Sequence, residues 1–245
     1  TVVVTGTNGK STTTRMTAAA LATLGQVATN AEGANMDAGL VSALALSPDA
    51  ALAALEVDEM HVPHVSDAVD PAVIVLLNLS RDQLDRVGEI NHIERTLRAG
   101  LARHPDAVVV ANCDDVLMTS AAYDCPHVVW VAAGGSWAND SVSCPRSGEV
   151  IVRDGSDWYS TGSDFKRPTP QWWFDEVNLY GPDGLTLPMR LSLPGKVNRG
   201  NAAQAVHGSG SQPAVAIGGR ARGGVASDVA PRGVVASDQQ HDAVG

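Results

Sequence analysis

The sequence predicts an α/β fold, a mostly parallel sheet with helices on both faces, and three observations carry that expectation. Short runs rich in valine recur at Val2–Val4, Ala53–Val57, Val73–Leu77, Val108–Ala111 and Val128–Val131. They are continuously apolar rather than alternating, as strands buried on both faces are. Helical patterns separate them, and the first run passes straight through a glycine turn, TGTNGKST, into a helix expected from Ser11 to Leu24.

Each later stretch has its own signal. Between Ile93 and Ala102, residues Ile93, Leu97 and Leu101 share one helical face. From about Asn139 the texture changes, and EVIVRD, a Gly155-Ser156 turn and DWYS read as a β-hairpin inserted at about residues 140–170. WWFDEVNLYGPDG then returns toward the main sheet. Ala202–Val206 reads as the first turns of a helix that HGSGSQP stops. The 39 residues from His207 hold eight glycines, no leucine and no aromatic, with RGGVASD at 222–228 echoed by RGVVASD at 232–238. So few bulky apolar residues cannot offset the entropy of ordering, so residues 1–206 are expected to form one domain and 207–245 a disordered tail.

Composition excludes several classes. A net charge of −10 argues against a nucleic-acid surface, and no apolar run reaches the length of a membrane span. With no basic and apolar leader, a cytoplasmic protein is expected, and Thr1 reads as a trimmed start. Three scattered cysteines, Cys113, Cys125 and Cys144, make no disulfide framework. Only three lysines stand against fourteen arginines, so Lys10, Lys166 and Lys196 each draw notice.

A strand, a glycine turn, a lysine and hydroxyl residues at a helix start make a phosphate cradle. Backbone N–H groups of Thr7, Asn8, Gly9, Ser11 and Thr12 would point at the anion, with Gly6 and Gly9 allowing close approach. Lys10 would reach the β- and γ-phosphates of a nucleotide, and the Ser11 hydroxyl would ligate Mg²⁺. The commonest spacing of such turns has another glycine where this chain has Val4. The competing reading is a chance Gly-Lys-Ser at a helix cap.

TGTNGKST resembles the phosphate turn of the Mur ligase superfamily, and four further stretches match that family in order. LEVDE places Glu56 at a strand end, where the resemblance implies a second Mg²⁺-ligating carboxylate. LNLSRDQLDRVGE (77–89) is similar to the family's N-x-x-x-D-H-L-D, with Asn78, Asp82 and Asp85 matching. ANCDD (111–115) resembles N-x-D-D, and LPGKVNRGNAAQA (193–205) resembles L-P-G-x-x-N-x-x-N-A, where Asn198 would meet adenine. The resemblance implies catalytic roles for Lys10, Glu56 and Asp82. Gln83 replaces the histidine of most members, and no lysine lies between Gln83 and Asn112 to serve as a carbamylated Mg²⁺ support. With TNAEGANM, these details look like the MurT-like branch, the ligase subunits of lipid II isoglutaminyl synthase.

Plainer readings stand beside these. Glu56 suits a solvated strand end; Asn78, Asp82 and Asp85 suit turns and helix caps; Asn198 could cap the next helix. His61 and His64 have no third ligand nearby in sequence and read as surface residues. Some members of that branch carry a four-cysteine zinc ribbon as the insertion. Here the positions read Cys144, Ser147, Ser160 and Ser163, and serine is a very poor zinc ligand, so no zinc is expected. The hairpin is expected to rest instead on Trp158, Tyr159, Phe165 and Trp172–Trp173.

The resemblance implies an ATP- and Mg²⁺-dependent amide ligase of peptidoglycan synthesis. It would phosphorylate the D-glutamate α-carboxylate of lipid II, and ammonia from a GatD-like glutaminase would displace phosphate to leave D-isoglutamine. Two alternatives are an ATP-binding module without chemistry of its own and a folylpolyglutamate synthase-like ligase, which the insertion and Gln83 disfavour. The family continues into a closing C-terminal domain where this chain has its glycine-rich tail. A shift of reading frame near residue 206 and poor amidation by this chain alone are therefore expected.

Overall fold

The computed structural model describes residues 1–30, 34–80, 87–135, 141–192, 195–208 and 235–236. Six strands form the central sheet: β1 (Val2–Thr5), β2 (Val27–Thr29), β3 (Leu52–Glu56), β4 (Val73–Leu76), β5 (Val108–Asn112) and β6 (Val128–Val131). Their order is β2-β3-β1-β4-β5-β6, and every pairing is parallel. The helices are α1 (Lys10–Leu21), α2 (Asp37–Ala45), α3 (Val62–Val69), α4 (Val87–Leu101), α5 (Val116–Ala122) and α6 (Lys196–Gly208).

Apart from the half-buried β6, the apolar runs are buried on both faces because the side chains alternate. Val3, Leu55, Ile74, Leu76 and Val109 face a core closed by Leu40 of α2, Val62 and Val65 of α3, Leu97 and Leu101 of α4, and Leu117 of α5. Val2, Val4, Ala54, Val75 and Val110 face the opposite core, closed by Leu21 of α1, Ala203 and Val206 of α6, and Trp172. Order reverses across β1, which lies between β3 and β4. The carboxyl ends of these strands therefore open a crevice of the kind where open α/β sheets bind ligands.

The insertion is a two-stranded hairpin, β7 (Ile151–Asp154) with β8 (Asp157–Ser160). Gly155 has φ 60° at the first of two loop positions, the requirement of a type II′ turn. Its core is Trp158, Phe165, Cys144 and Ile151 against Val116 of α5. Trp158 Nε1 donates to the Cys113 carbonyl at 3.0 Å, tying the hairpin to the end of β5.

The expected aromatic support is only partly there. Tyr159 and Trp173 are exposed, and Trp172 belongs to the main sheet's core. Trp172 forms a parallel bridge to Val131, while Gln171 donates its N–H to the Trp130 carbonyl and accepts from the Trp130 N–H through Oε1. Beyond it β9 (Trp173–Phe174), β10 (Asn178–Tyr180) and β11 (Thr186–Pro188) make a small antiparallel sheet.

The last helix begins at Lys196, earlier than the expected Ala202, and runs through Gly208. Within the expected disordered tail, β13 (Val235–Ala236) pairs parallel with β12 (Arg190–Leu191). The other tail residues from 209 on lie outside the described residues. Among the described residues no helix is long and apolar enough to cross a membrane.

Candidate nucleotide site at the carboxyl ends of the strands

The turn between β1 and α1 depends on its two glycines. Gly6 holds φ 139°, and a Cβ there would fall 2.8 Å from Leu77 Cβ and 2.9 Å from the backbone of Asn78. Gly9 caps α1 in the left-handed region with φ 87°, and a Cβ there would fall 2.7 Å from Asn201 Oδ1 of α6. Only glycine takes such a backbone position at close quarters without strain.

The turn is clamped from the loop after β4. Thr7 N–H donates to the Asn78 carbonyl at 2.8 Å, Asn8 N–H donates to Asn78 Oδ1 at 3.0 Å, and Asn78 Nδ2 donates to the Asn8 carbonyl at 2.8 Å. Ser80 N–H donates to Thr7 Oγ1, and Asn8 Nδ2 donates to Ser80 Oγ. Asn78 thus shapes the turn. Lys10 folds over it, its Nζ donating to the Gly6 carbonyl at 2.6 Å and lying 3.6 Å from Glu59 Oε1. Ser11 and Thr12 follow in the first turn of α1, both half-buried.

Glu56 ends β3 and is buried. Its backbone exchanges two 2.8 Å hydrogen bonds with the Asn30 side chain, and Asn35 Nδ2 donates to Oε1 at 3.4 Å. Its other oxygen, Oε2, is buried without a hydrogen-bond partner. A buried carboxylate oxygen left unpaired is costly, and a bound cation is one way to satisfy it. The expected donor set, this carboxylate and the Ser11 hydroxyl, is the hard-oxygen chemistry that Mg²⁺ takes.

Sequence reasoning missed two neighbours of the turn. Glu59, one turn beyond Glu56, is buried beside Lys10; burial raises its carboxyl pKa, opposed by the Lys10 charge. Asn201 abuts Gly9 and is the second asparagine of the N-x-x-N stretch, which was the signal available for it. Asp82, with Gln83 and Asp85, lies outside the described residues.

A cavity of about 660 Å³ adjoins the turn, with Asn78, Asn112, Asp114, Arg167, Trp173 and Lys196 among its lining residues. Lys196 of α6 contributes to that lining; Asn198, also on α6 and half-buried, is not among it. Asn112 and Asp114 organise the rim, since Oδ1 of Asn112 accepts from the Asp114 and Ala133 amides, and Asp114 binds the Gly134 amide and Arg167. Asp115 caps α5 through Met118 N–H at 2.8 Å and accepts from Leu79 N–H at 2.9 Å. Burial pushes its carboxyl up to about 6 against the pull of those amides.

The four positions compared with a zinc ribbon lie around one corner of the insertion. Ser147 N–H approaches Cys144 Sγ at 3.4 Å, Ser147 Oγ lies 3.2 Å from Ser160 Oγ, and Ser163 Oγ accepts from Phe165 N–H.

Comparison with known proteins agrees with this geometry. The Mur ligase middle-domain model matches residues 4–207. The MurT subunit of the glutamine-hydrolysing lipid II isoglutaminyl synthase of Streptococcus pneumoniae is 38% identical over 121 residues, covering 47% of this chain and 27% of that protein. The MurT subunit from Staphylococcus aureus strain COL is 31% identical over 163 residues, covering 62% and 37%. The chain thus spans well under half the length of these relatives. Among solved structures, a pseudomurein peptide ligase type C from Methanothermus fervidus superposes with a TM-score of 0.65 at 22% identity, over 85% of this chain and 45% of that one. MurF from Acinetobacter baumannii gives 0.60 at 20% identity, over 84% and 40%; both likenesses concern the fold. With the model matched across nearly all of the sheet, the cleft and α6, the chain belongs to the Mur ligase family through its middle domain.

Proposed function

We propose that residues 1–206 form the ATP-binding domain of a peptidoglycan amide ligase that amidates the D-glutamate α-carboxylate of lipid II. The identity to MurT subunits supports that branch, and their description as subunits of a glutamine-hydrolysing synthase supports a GatD-like glutaminase as partner and source of ammonia. Such a ligase would work in the cytoplasm on lipid II at the inner membrane face. The observation that carries the nucleotide reading is the convergence, at the carboxyl end of the sheet, of a glycine turn, Lys10 and a buried Glu56 with an unpaired oxygen.

In this reading the amides of Gly9 to Thr12 bind the phosphates, since the expected Thr7 and Asn8 amides are taken up by Asn78, and Lys10 moves from the Gly6 carbonyl and Glu59 to the β- and γ-phosphates. Asn78 keeps the turn in register, and the cavity beyond it takes the nucleoside; an adenine contact by Asn198, which lies outside that lining, requires α6 to shift toward the cavity. Ser11 and Glu56 would hold Mg²⁺, which when bound neutralises charge building on the transferring phosphoryl group. Asp82 would take the catalytic role that the family resemblance implies. The acyl carboxylate attacks the γ-phosphorus, ADP leaves, and ammonia then displaces phosphate from the acyl phosphate.

Isothermal titration of MgATP into wild type and Lys10→Ala tests the core of this reading. Loss of the charge-assisted contacts should weaken binding by about 2–3 kcal/mol, or roughly 30–150-fold. Equal affinities would remove Lys10 from phosphate binding. Product analysis with lipid II, a glutaminase, glutamine and ATP tests the substrate separately.

A further inference from the structure

Folding brings together a set of ligating atoms away from the nucleotide cleft. His61 and His64 lack a third ligand in sequence, and Asp37 supplies it from another helix. His61 Nδ1 lies 3.0 Å and His64 Nε2 2.8 Å from the same oxygen, Asp37 Oδ1. One ligand atom from each residue falls within 4.8 Å of the others. The two rings meet edge to face, centroids 5.0 Å apart, so that their nitrogens converge on the carboxylate.

We propose that Asp37, His61 and His64 form a binding site for a divalent transition metal of the zinc class, joining the start of α2 to the start of α3. Metal–ligand bonds of about 2.0–2.1 Å at a tetrahedral angle separate donor atoms by about 3.3 Å. Each nitrogen must therefore retreat from the oxygen by about half an ångström or less, and the two nitrogens, within 4.8 Å of each other, must settle at the same spacing. Two imidazole nitrogens and one carboxylate oxygen are the borderline donors that select zinc, nickel or copper over magnesium, which wants oxygen alone. Asp37 and His64 are more than half exposed, leaving a fourth position open to water or a small ligand.

The site is independent of the nucleotide reading, since none of its residues lines the cleft cavity. Its ligands sit on elements that flank Glu56: Asp37 lies two residues beyond Asn35, whose amide reaches Glu56, and His61 two beyond Glu59, the partner of Lys10.

The test is titration of the full chain, first stripped by chelator, with Zn²⁺ against a chromophoric competitor and with Co²⁺ by absorption. Wild type should bind one equivalent, with cobalt ligand-field bands and no sulfur-to-metal charge-transfer absorption. His64→Ala and Asp37→Asn should each weaken binding about tenfold or more, whereas Cys144→Ser should leave it unchanged. Zn²⁺ should raise the melting temperature of wild type and not of His64→Ala, whose exposed side chain packs on no core. Absence of saturable binding, wild-type affinity in either the Asp37→Asn or the His64→Ala variant, or loss in Cys144→Ser would each overturn the assignment.

Discussion

At the scale of single residues, Gly6 concentrates the demands on the phosphate turn. Its positive φ and its contact with Leu77 and Asn78 act together, because an added Cβ would push backbone rather than a flexible side-chain end. Gly6→Ala should therefore destabilise the protein by about 2–3 kcal/mol, read from urea unfolding, and lower MgATP affinity through the displaced turn. A change under about 0.5 kcal/mol would mean that the turn yields without strain. The turn was legible in the sequence because its chemistry is local, with glycines, lysine and hydroxyls spaced along one strand-to-helix junction. Glu59 and Asn201 were not, since their roles come from where α3 and α6 pack. The same holds for Asp37, 24 residues before the histidine it joins. Asn78 was legible as a site residue, and only the structure showed it bracing Asn8 on both sides of the peptide.

At the scale of elements, the insertion shows how a small hairpin is held by its aromatic side chains. Trp158 is almost wholly buried and hydrogen-bonded to the Cys113 carbonyl, and Phe165 tilts against it at 5.0 Å between centroids. Trp158→Ala should cost about 3–5 kcal/mol through the cavity it leaves, whereas Cys144→Ser, a small change, should cost under about 1.5. Thermal unfolding with chelator present and absent checks both, and a chelator-induced loss that vanished in Cys144→Ser would give that corner of the insertion a metal role. The five valine-rich strands were readable because full burial of a parallel sheet leaves an unmistakable run. The three-residue β2 and the short helices α2, α3 and α5 were not, since seven to nine residues give too little periodicity. The early start of α6 was hidden by its glycines. Gly200, a poor helix former, is required because a Cβ there would fall 2.1 Å from the Ala133 carbonyl oxygen.

At the scale of the whole molecule, one sheet carries the phosphate end of the cleft and much of its wall. The turn follows β1, Glu56 ends β3, Asn78 follows β4 and Asn112 ends β5, while Gln204 of α6 donates to the Leu76 carbonyl at 2.9 Å. A ligand held there should stabilise the entire unit. At 100 times its Kd, MgATP should add about 2.7 kcal/mol and raise the melting temperature by about 5–10 °C for a chain of this size. Lys10→Ala at the same concentration should show a much smaller rise, and no shift in wild type would argue against nucleotide binding in the cleft. The sheet's outer boundary has a further consequence, in the behaviour of many copies together. A free β6 would offer its unpaired amides and carbonyls to any passing strand, the usual start of edge-to-edge polymerisation. Gln171 and Trp172 occupy the Trp130 amide and carbonyl and the Ala132 amide, with a glutamine side chain standing in for one peptide group. At the opposite boundary β2 is three residues long, too short a template to recruit a neighbour. The segment that carries the chain out of its insertion thus also keeps one molecule's sheet from continuing into the next.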